Sequence, residues 1–348
     1  MERSRRGFPL AEPAWFVALR GFCAVAEGAD VPVAAHTDAH AITVATVLGD
    51  AQRRLCIFGG RDGMPRSLGS LFGSLVVRFV GGYRGGNIRC ATPTPGLPST
   101  SNGVAVSRDG MTLLVSDAYG ADGGIHLFRV VDGVYVRTVG TAGDGPLQFC
   151  YPQQVWVACD DFVFVADFGN NRIQVLTPGT LDFHGFVGVG QLNYPSGVCG
   201  DRDTVFVSEM GDNRVSVFRR ADGALLRRFG AWGAGQLKKP RGLCFMGSNR
   251  QIAVANSSSH RITVFSVEGE FVRHVGAGAL RYPYSVACSA FGELVVADGS
   301  DWRISVFRGS GEVLHTIEDG HRFSGVAMRG DTIFAQTYSD KCECIMYT

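Results

Sequence analysis

Lysine is almost missing from this chain. Of 33 basic residues, only Lys238, Lys239 and Lys341 are lysine and the other 30 are arginine, a bias for which the residues themselves offer no physical reason. Charge of one sign is also missing. The net charge is +1, and residues 75–348 carry 25 basic and 25 acidic side chains, so no global field favours nucleic acid or an acidic membrane. None of the ten cysteines forms a C-x-x-C pair, which excludes zinc-ribbon, RING and thioredoxin spacings; their scatter suits reduced thiols in a reducing compartment. No apolar run reaches the roughly 18 residues needed to span a bilayer. The basic start "MERSRRGFPLAEPAWFVALRGFCAVAEGA" has its one candidate apolar core interrupted by Arg20. A cytoplasmic location is therefore expected, with secretory or organellar targeting as the alternative. No G-x-S-x-G, P-loop or dinucleotide fingerprint occurs, and the glycines of "GTAGDG" and "GAWGAG" read as connectors, so no cofactor is expected.

What the chain does have is repetition. "VADFGNNRIQVL" at Val165 returns as "VSEMGDNRVSVF" at Val207, "VANSSSHRITVF" at Val254 and "VADGSDWRISVF" at Val296. The prolines Pro152, Pro195, Pro240 and Pro283 are 43, 45 and 43 residues apart, and the arginines Arg172, Arg214, Arg261 and Arg303 are 42, 47 and 42 apart. Two independent markers share a period in the forties, the length of a four-stranded propeller blade. Inside each period a proline-led strand precedes a dense apolar strand such as "FVFVA", predicted to be buried on both faces. A polar turn leads to a third strand in which Gln174, Ser216, Thr263 and Ser305 alternate with apolar residues, which predicts one less-buried face. A glycine turn then leads to an outer strand carrying arginine and histidine.

The expected fold is all-β, a six-bladed propeller over 75–348. Its blades span 103–140, 151–188, 194–230, 240–276, 282–318, and 323–348 together with 75–81. In this reading the N-terminal strand "LVVRFVG" pairs with the last, incomplete blade and closes the ring, because an open ring would expose a strand edge. Residues 1–70 read as a poorly ordered or accessory leader, in which "AITVATVLG" and "RRLCIFGG" have the composition of strands.

The phrase "YPxxV…VFVADFGNNRIQVL…G" resembles the NHL repeat, a six-bladed propeller module. Four blades carry the pattern well; the first has Gly124 and the last Lys341 in the arginine slot. Relatives in that family place the propeller beside RING, B-box and coiled-coil segments in ubiquitin ligases, and some bind RNA or protein on one face. The resemblance therefore implies a protein-interaction scaffold, with substrate recognition for ubiquitination as one form of it, although the RING and B-box cysteines have no counterpart here. The alternatives it leaves open are an RNA-binding propeller and a lyase or hydrolase centred on the channel. Fold alone decides none of these.

The repeated arginine follows Asp167, Glu209, Asn256 or Asp298 by five residues, so each pair should face itself across a tight hairpin as a structural clasp. Cys159, Cys199, Cys244 and Cys288 lie on or beside inner strands in differing registers and read as core packing rather than metal ligands, and no histidine set converges on the channel. Without a metal or nucleophile constellation, a non-catalytic protein is expected. The candidate binding residues lie in connectors on one face: Tyr151, Tyr194, Trp232, Lys238, Lys239, Arg241, Arg281 and Tyr284. Aromatics and arginine are the residues that anchor interfaces. A protein partner is expected, with RNA as the alternative, no membrane association, and a monomeric propeller.

Overall fold

The computed structural model describes residues 103–118, 123–318, 320–338 and 344–347 with side chains, and the backbone of the strands Val33–Asp38, Ala41–Leu48, Arg54–Phe58, Val76–Val80 and Gly85–Cys90. Two compact units divide between Tyr83 and Arg84.

The second unit is the predicted six-bladed ring. Blade 1 runs Val104–Val106, Thr112–Ser116, Ile125–Arg129, Tyr135–Val139; blade 2 runs Pro152–Val157, Val163–Asp167, Arg172–Leu176, Phe183–Val187. Blade 3 runs Pro195–Gly200, Thr204–Glu209, Arg214–Arg219, Leu225–Phe229, and blade 4 Pro240–Met246, Gln251–Asn256, Arg261–Ser266, Phe271–Val275. Blade 5 runs Pro283–Cys288, Leu294–Asp298, Arg303–Phe307, Val313–Ile317. Blade 6 combines Phe323–Arg329, Thr332–Thr337 and Cys344–Tyr347 with Gly85–Cys90 as its fourth strand. Each inner strand packs on the next, and that of blade 6 returns to blade 1.

The local reasons are those of the sequence. Proline can open a strand because its missing N–H needs no acceptor there. Second strands such as Val163–Asp167 and Leu294–Asp298 are buried at every position, while outer strands such as Leu225–Phe229 alternate toward solvent. The core therefore lies between blades. Phe164, Ile173 and Val175 of blade 2, for example, pack with Val198, Val205 and Phe218 of blade 3. Each such side chain contributes about 1.5–3 kcal/mol on burial.

Two expectations are corrected. The ring does close with a strand N-terminal to blade 1, but that strand is Gly85–Cys90, paired Cys344↔Cys90, Ile345↔Arg89 and Tyr347↔Gly85. The predicted closing segment, 75–81, instead contributes Val76–Val80 to the first unit, where it pairs antiparallel with Arg54–Phe58. That unit is a four-stranded meander, Val33–Asp38, Ala41–Leu48, Arg54–Phe58, Val76–Val80, and "VVRFV" is its fourth strand. "VVRFV" resembles "LLRRF", the fourth strand of blade 3, so the likeness reports a fourth-strand position without specifying the sheet. Both strand-like stretches of 1–70 are strands of this meander, as is Val33–Asp38; the rest of 1–70 lies outside the described residues.

The second correction concerns Gln174, Ser216, Thr263 and Ser305. They are buried, with 0–3% exposure, and Gln174, Ser216 and Thr263 bond to the clasp residue of their own blade.

Candidate functional site

The clasp is built at the turn between second and third strands. Asp167 and Arg172 are cross-strand partners, as are Glu209 and Arg214, Asn256 and Arg261, and Asp298 and Arg303. Arg172 Nε donates to Asp167 Oδ2 at 2.8 Å, and Arg214 Nε to Glu209 Oε1 at 2.8 Å. In blade 5 the pair relaxes to 3.8 Å as Arg303 turns to Asp301 at 2.9 Å. Blade 4 has no ion pair here, since Asn256 is neutral. Blade 1, with Gly124 in the slot, substitutes His126, whose Nε2 lies 3.1 Å from Asp117 Oδ2 and whose Nδ1 lies 2.7 Å from Thr138 Oγ1. The polar third-strand residue completes the set: Gln174 Nε2 donates to Asp167 Oδ2 at 3.2 Å, and Ser216 Oγ to Glu209.

The side chains of Asp167, Glu209, Asn256 and Asp298 also hold the incoming connector. The residue two before each strand-opening proline donates its N–H to them: Cys150 to Asp167 (2.8 Å), Asn193 to Glu209 (2.9 Å), Lys238 to Asn256 (2.8 Å) and Arg281 to Asp298 (2.8 Å). A stitch to the next blade was missed in the sequence. Asn171 and Asn213, at φ near 55°, accept from the N–H of Tyr194 and Lys239, each at 2.7 Å. Asparagine tolerates that left-handed backbone and still carries an acceptor. In blades 2, 3 and 5 the arginine of the repeat thus pairs within its own turn.

The connectors and these turns share one face of the ring, where the predicted binding residues lie. The structure brings two of them together: Arg241 places its guanidinium 4.4 Å from the Tyr284 ring centroid. Arg322 extends the group, donating from Nη2 to Tyr284 Oη at 3.2 Å and lying 4.4 Å from the Tyr338 ring. Tyr282 packs edge-on to Tyr284. The result is a ladder of guanidinium and phenol running from blade 4 to blade 6, with Tyr338 exposed at its end. Gly299 makes room for it, because a Cβ there would lie 1.8 Å from the Tyr284 ring. Sequence reasoning missed Arg322 and Tyr338 because Phe323 stands where blades 2–5 have proline; the following "SGV" was the remaining signal.

The other candidates stand apart from the ladder. Tyr151 and Tyr194 are 46% exposed, and Tyr194 stacks on Phe168. Lys238 and Lys239 fix the connector through their backbones while their side chains face solvent. Arg281 pairs with Asp301 at 3.2 Å, and Trp232 is 85% exposed in the connector between blades 3 and 4.

Inner strands line the channel. Gln154 of blade 2 donates to Leu243 O at 2.8 Å and accepts from Leu243 N at 3.0 Å in blade 4. This bond joins inner strands that are not neighbours, so the amide takes up part of the channel beside blade 3. Among the described residues no group of three His, Cys, Asp or Glu side chains is arranged to hold a metal ion, and no helix is long and apolar enough to cross a membrane. Cys199, Cys244 and Cys288 sit in the packing between blades. Burial pushes the Cys199 and Cys244 thiols well up, and Cys288 up to about 11. Thiolate is the reactive form, so at pH 8 only about one Cys288 in a thousand is reactive, and the fraction grows as pH climbs toward 11. Cys159 is exposed. In an iodoacetamide time course at pH 8 read by peptide mass mapping, Cys159 should label first among the described cysteines and Cys288 should accelerate steeply with pH. Earlier labelling of Cys244 or Cys288 would contradict the packing described.

A family model for the NHL repeat matches residues 149–176 and 237–265, the clasp-bearing parts of blades 2 and 4. Protein brain tumor of Drosophila melanogaster is 27% identical over 168 residues, 48% of this chain and 12% of that protein. The chain thus spans only about an eighth of that relative. NHL-repeat-containing protein 4 of Homo sapiens is 32% identical over 105 residues, covering 30% of this chain and 81% of that protein. Of solved structures, a streptogramin B lyase superposes with a TM-score of 0.57 at 11% identity, covering 76% of this chain and 97% of that one. A chain of a nidogen/laminin complex gives 0.55 at 16% identity, covering 65% and 85%. At such identities the likeness speaks for the fold alone. The period, the clasp geometry and the match across most of the human relative agree: the chain belongs to the NHL-repeat family.

Proposed function

We propose that the protein is a non-catalytic scaffold that binds a protein partner on its connector face. The observation that carries this reading is the Arg241–Tyr284–Arg322–Tyr338 ladder, an ordered, partly exposed stack of the residue types that anchor interfaces, held on a rigid ring. Balanced charge across 75–348 favours protein over nucleic acid. The amide in the channel, together with thiols held protonated by burial, speaks against chemistry on the axis. Substrate recognition for a ubiquitin ligase is one form such a scaffold takes, and the expected setting is cytoplasmic and monomeric.

Affinity capture from native lysate, with and without RNase, tests this. A discrete partner should be captured by the wild-type chain, survive RNase, and bind about 30-fold more weakly to the Arg241→Ala/Tyr284→Ala variant at unchanged melting temperature. Capture that is lost with RNase would transfer the surface to RNA, for which the exposed Tyr338 and Trp232 offer stacking rings. Turnover of a substrate that survives the double variant would overturn the scaffold reading.

A further inference from the structure

The outer strands hide a regularity with one exception. The middle residue of each five-residue outer strand pairs with an apolar third-strand residue that faces the next blade: Leu127↔Arg137, Val175↔Gly185, Val217↔Arg227, Val264↔Arg273, Val306↔His315. Three of these residues are struts. Arg137 Nη2 donates to Thr180 O of blade 2 at 2.8 Å, Arg227 to Val267 O of blade 4, and Arg273 Nε to Gly309 O of blade 5 at 2.9 Å. Each crosses to the next blade and fastens to its outer turn.

Blade 2 alone of these five has glycine, and a groove of about 860 Å³ opens there toward blade 3. Its walls include Phe162, Phe164, Val175, His184, Arg202 and Asp203. The deep end is held by Arg220 of blade 3, which reaches back to Asp160 and lies 5.4–6.0 Å from the rings of Phe164, Phe162 and Trp156. By register Arg220 O is the counterpart of Val267 O and Gly309 O, and Gly185 sends no strut to it.

Folding gives no reason for that glycine. A Cβ at Gly185 meets nothing within 4 Å, and its φ is not left-handed, so neither crowding nor backbone geometry requires it. Glycine inside a strand weakens the strand and marks a bulge or the close approach of a ligand or another backbone. The bulge beside Gly185 recurs in the four sister strands, whose central residue is arginine or histidine, so the bulge does not require glycine. The strand Phe183–Val187 is also the outer edge of its sheet, with backbone groups turned outward.

We propose that this groove binds an extended peptide segment of a partner, which adds as a fifth strand to blade 2 and lays an arginine over Gly185 into the vacant strut position. The occupant's chemistry is read from the molecule itself, since three sister seams fill the same place with arginine. Strand addition supplies main-chain bonds, and the seam supplies the side-chain pocket. No charge barrier opposes it. Asp160 pairs with Arg220 and Asp222 with Arg219, which leaves Asp203 beside Arg202. The site lies at the β-turn ends opposite the connector face, so its failure and that of the scaffold reading are separable.

The test uses a displayed library of random 12-residue peptides panned on the full chain, with winners measured by fluorescence polarisation against wild type and Gly185→Arg. The variant supplies its own strut, so it should melt at or above the wild-type temperature and bind winners about 10- to 100-fold more weakly. Winners should share one arginine, and replacing it with alanine should cost a similar factor. Gly185→Gln, a shorter filler, carries the same comparison if the arginine variant does not fold. Winners without arginine, winners indifferent to both fillings, or no winners at all would each overturn the proposal.

Discussion

Arg172→Met should lower the melting temperature by on the order of 10 °C, while Arg261→Met should leave it nearly unchanged, although the two arginines hold the same place in the repeat. Arg172 is 8% exposed and its partner Asp167 is fully buried. Removing one member of a buried ion pair leaves a charge in a dry site, at about 3–5 kcal/mol. Asp167 keeps the Cys150 N–H, Asn170 and Gln174, so the cost falls at the lower end. Arg172 also surrenders its bonds to Gly145 O and Gln148 O in the connector. At about 2–4 °C per kcal/mol for a domain of this size, the sum is close to 10 °C. Arg261 faces the neutral Asn256 and its Nε is buried without a partner, while burial and then the Arg261 charge hold His274 below the usual imidazole range. Methionine there keeps the apolar stem and strands no charge. Thermal melts of the two variants at pH 7 decide the matter, and equal shifts would sink the assignment of the clasp as a graded ion pair.

The period, the blade count and the clasp were legible because each is chain-local: partners five residues apart and blades some 43 apart leave their mark in one pass along the chain. What failed involved choices between equivalent places. "VVRFV" and "LLRRF" obey the same fourth-strand rule, so the residues named the position but not the sheet. Gln174 and its counterparts read as wet because polar alternation usually means solvent; here it meant a buried carboxylate needing a third donor. The ladder was half visible. Arg241 and Tyr284 follow prolines, whereas Arg322 precedes Phe323 and Tyr338 follows a strand with no repeat marker. The blade 2 groove was written plainly as Arg, Gly, Arg, Arg, His at the centre of "YVRTV", "FHGFV", "LLRRF", "FVRHV" and "VLHTI". It becomes readable only once the register shows that those central residues cross a seam.

A chain that begins at residue 92 should be insoluble or melt without a cooperative transition, whereas one that begins at residue 82 should keep the melting temperature of the ring within a few degrees. The first truncation removes Gly85–Cys90 and leaves Cys344–Tyr347 as an unpaired edge. Cys344, Ile345 and Tyr347 are buried at 2%, 3% and 0% exposure, and the Tyr347 ring packs edge-on to Phe323 at the inner strand of the same blade. Exposing those three side chains at about 1.5–3 kcal/mol each consumes much of the roughly 5–15 kcal/mol that separates folded from unfolded states. The bared edge also offers a template for association between chains. The second truncation removes residues 1–81, whose described strands form a meander with its own strand pairing, and keeps all six blades of the ring. Scanning calorimetry on both, with light scattering to follow aggregation, separates the two strands directly. Loss of the transition already at residue 82 would return the closing role to 75–81, because only then would the ring depend on the fourth strand of the meander.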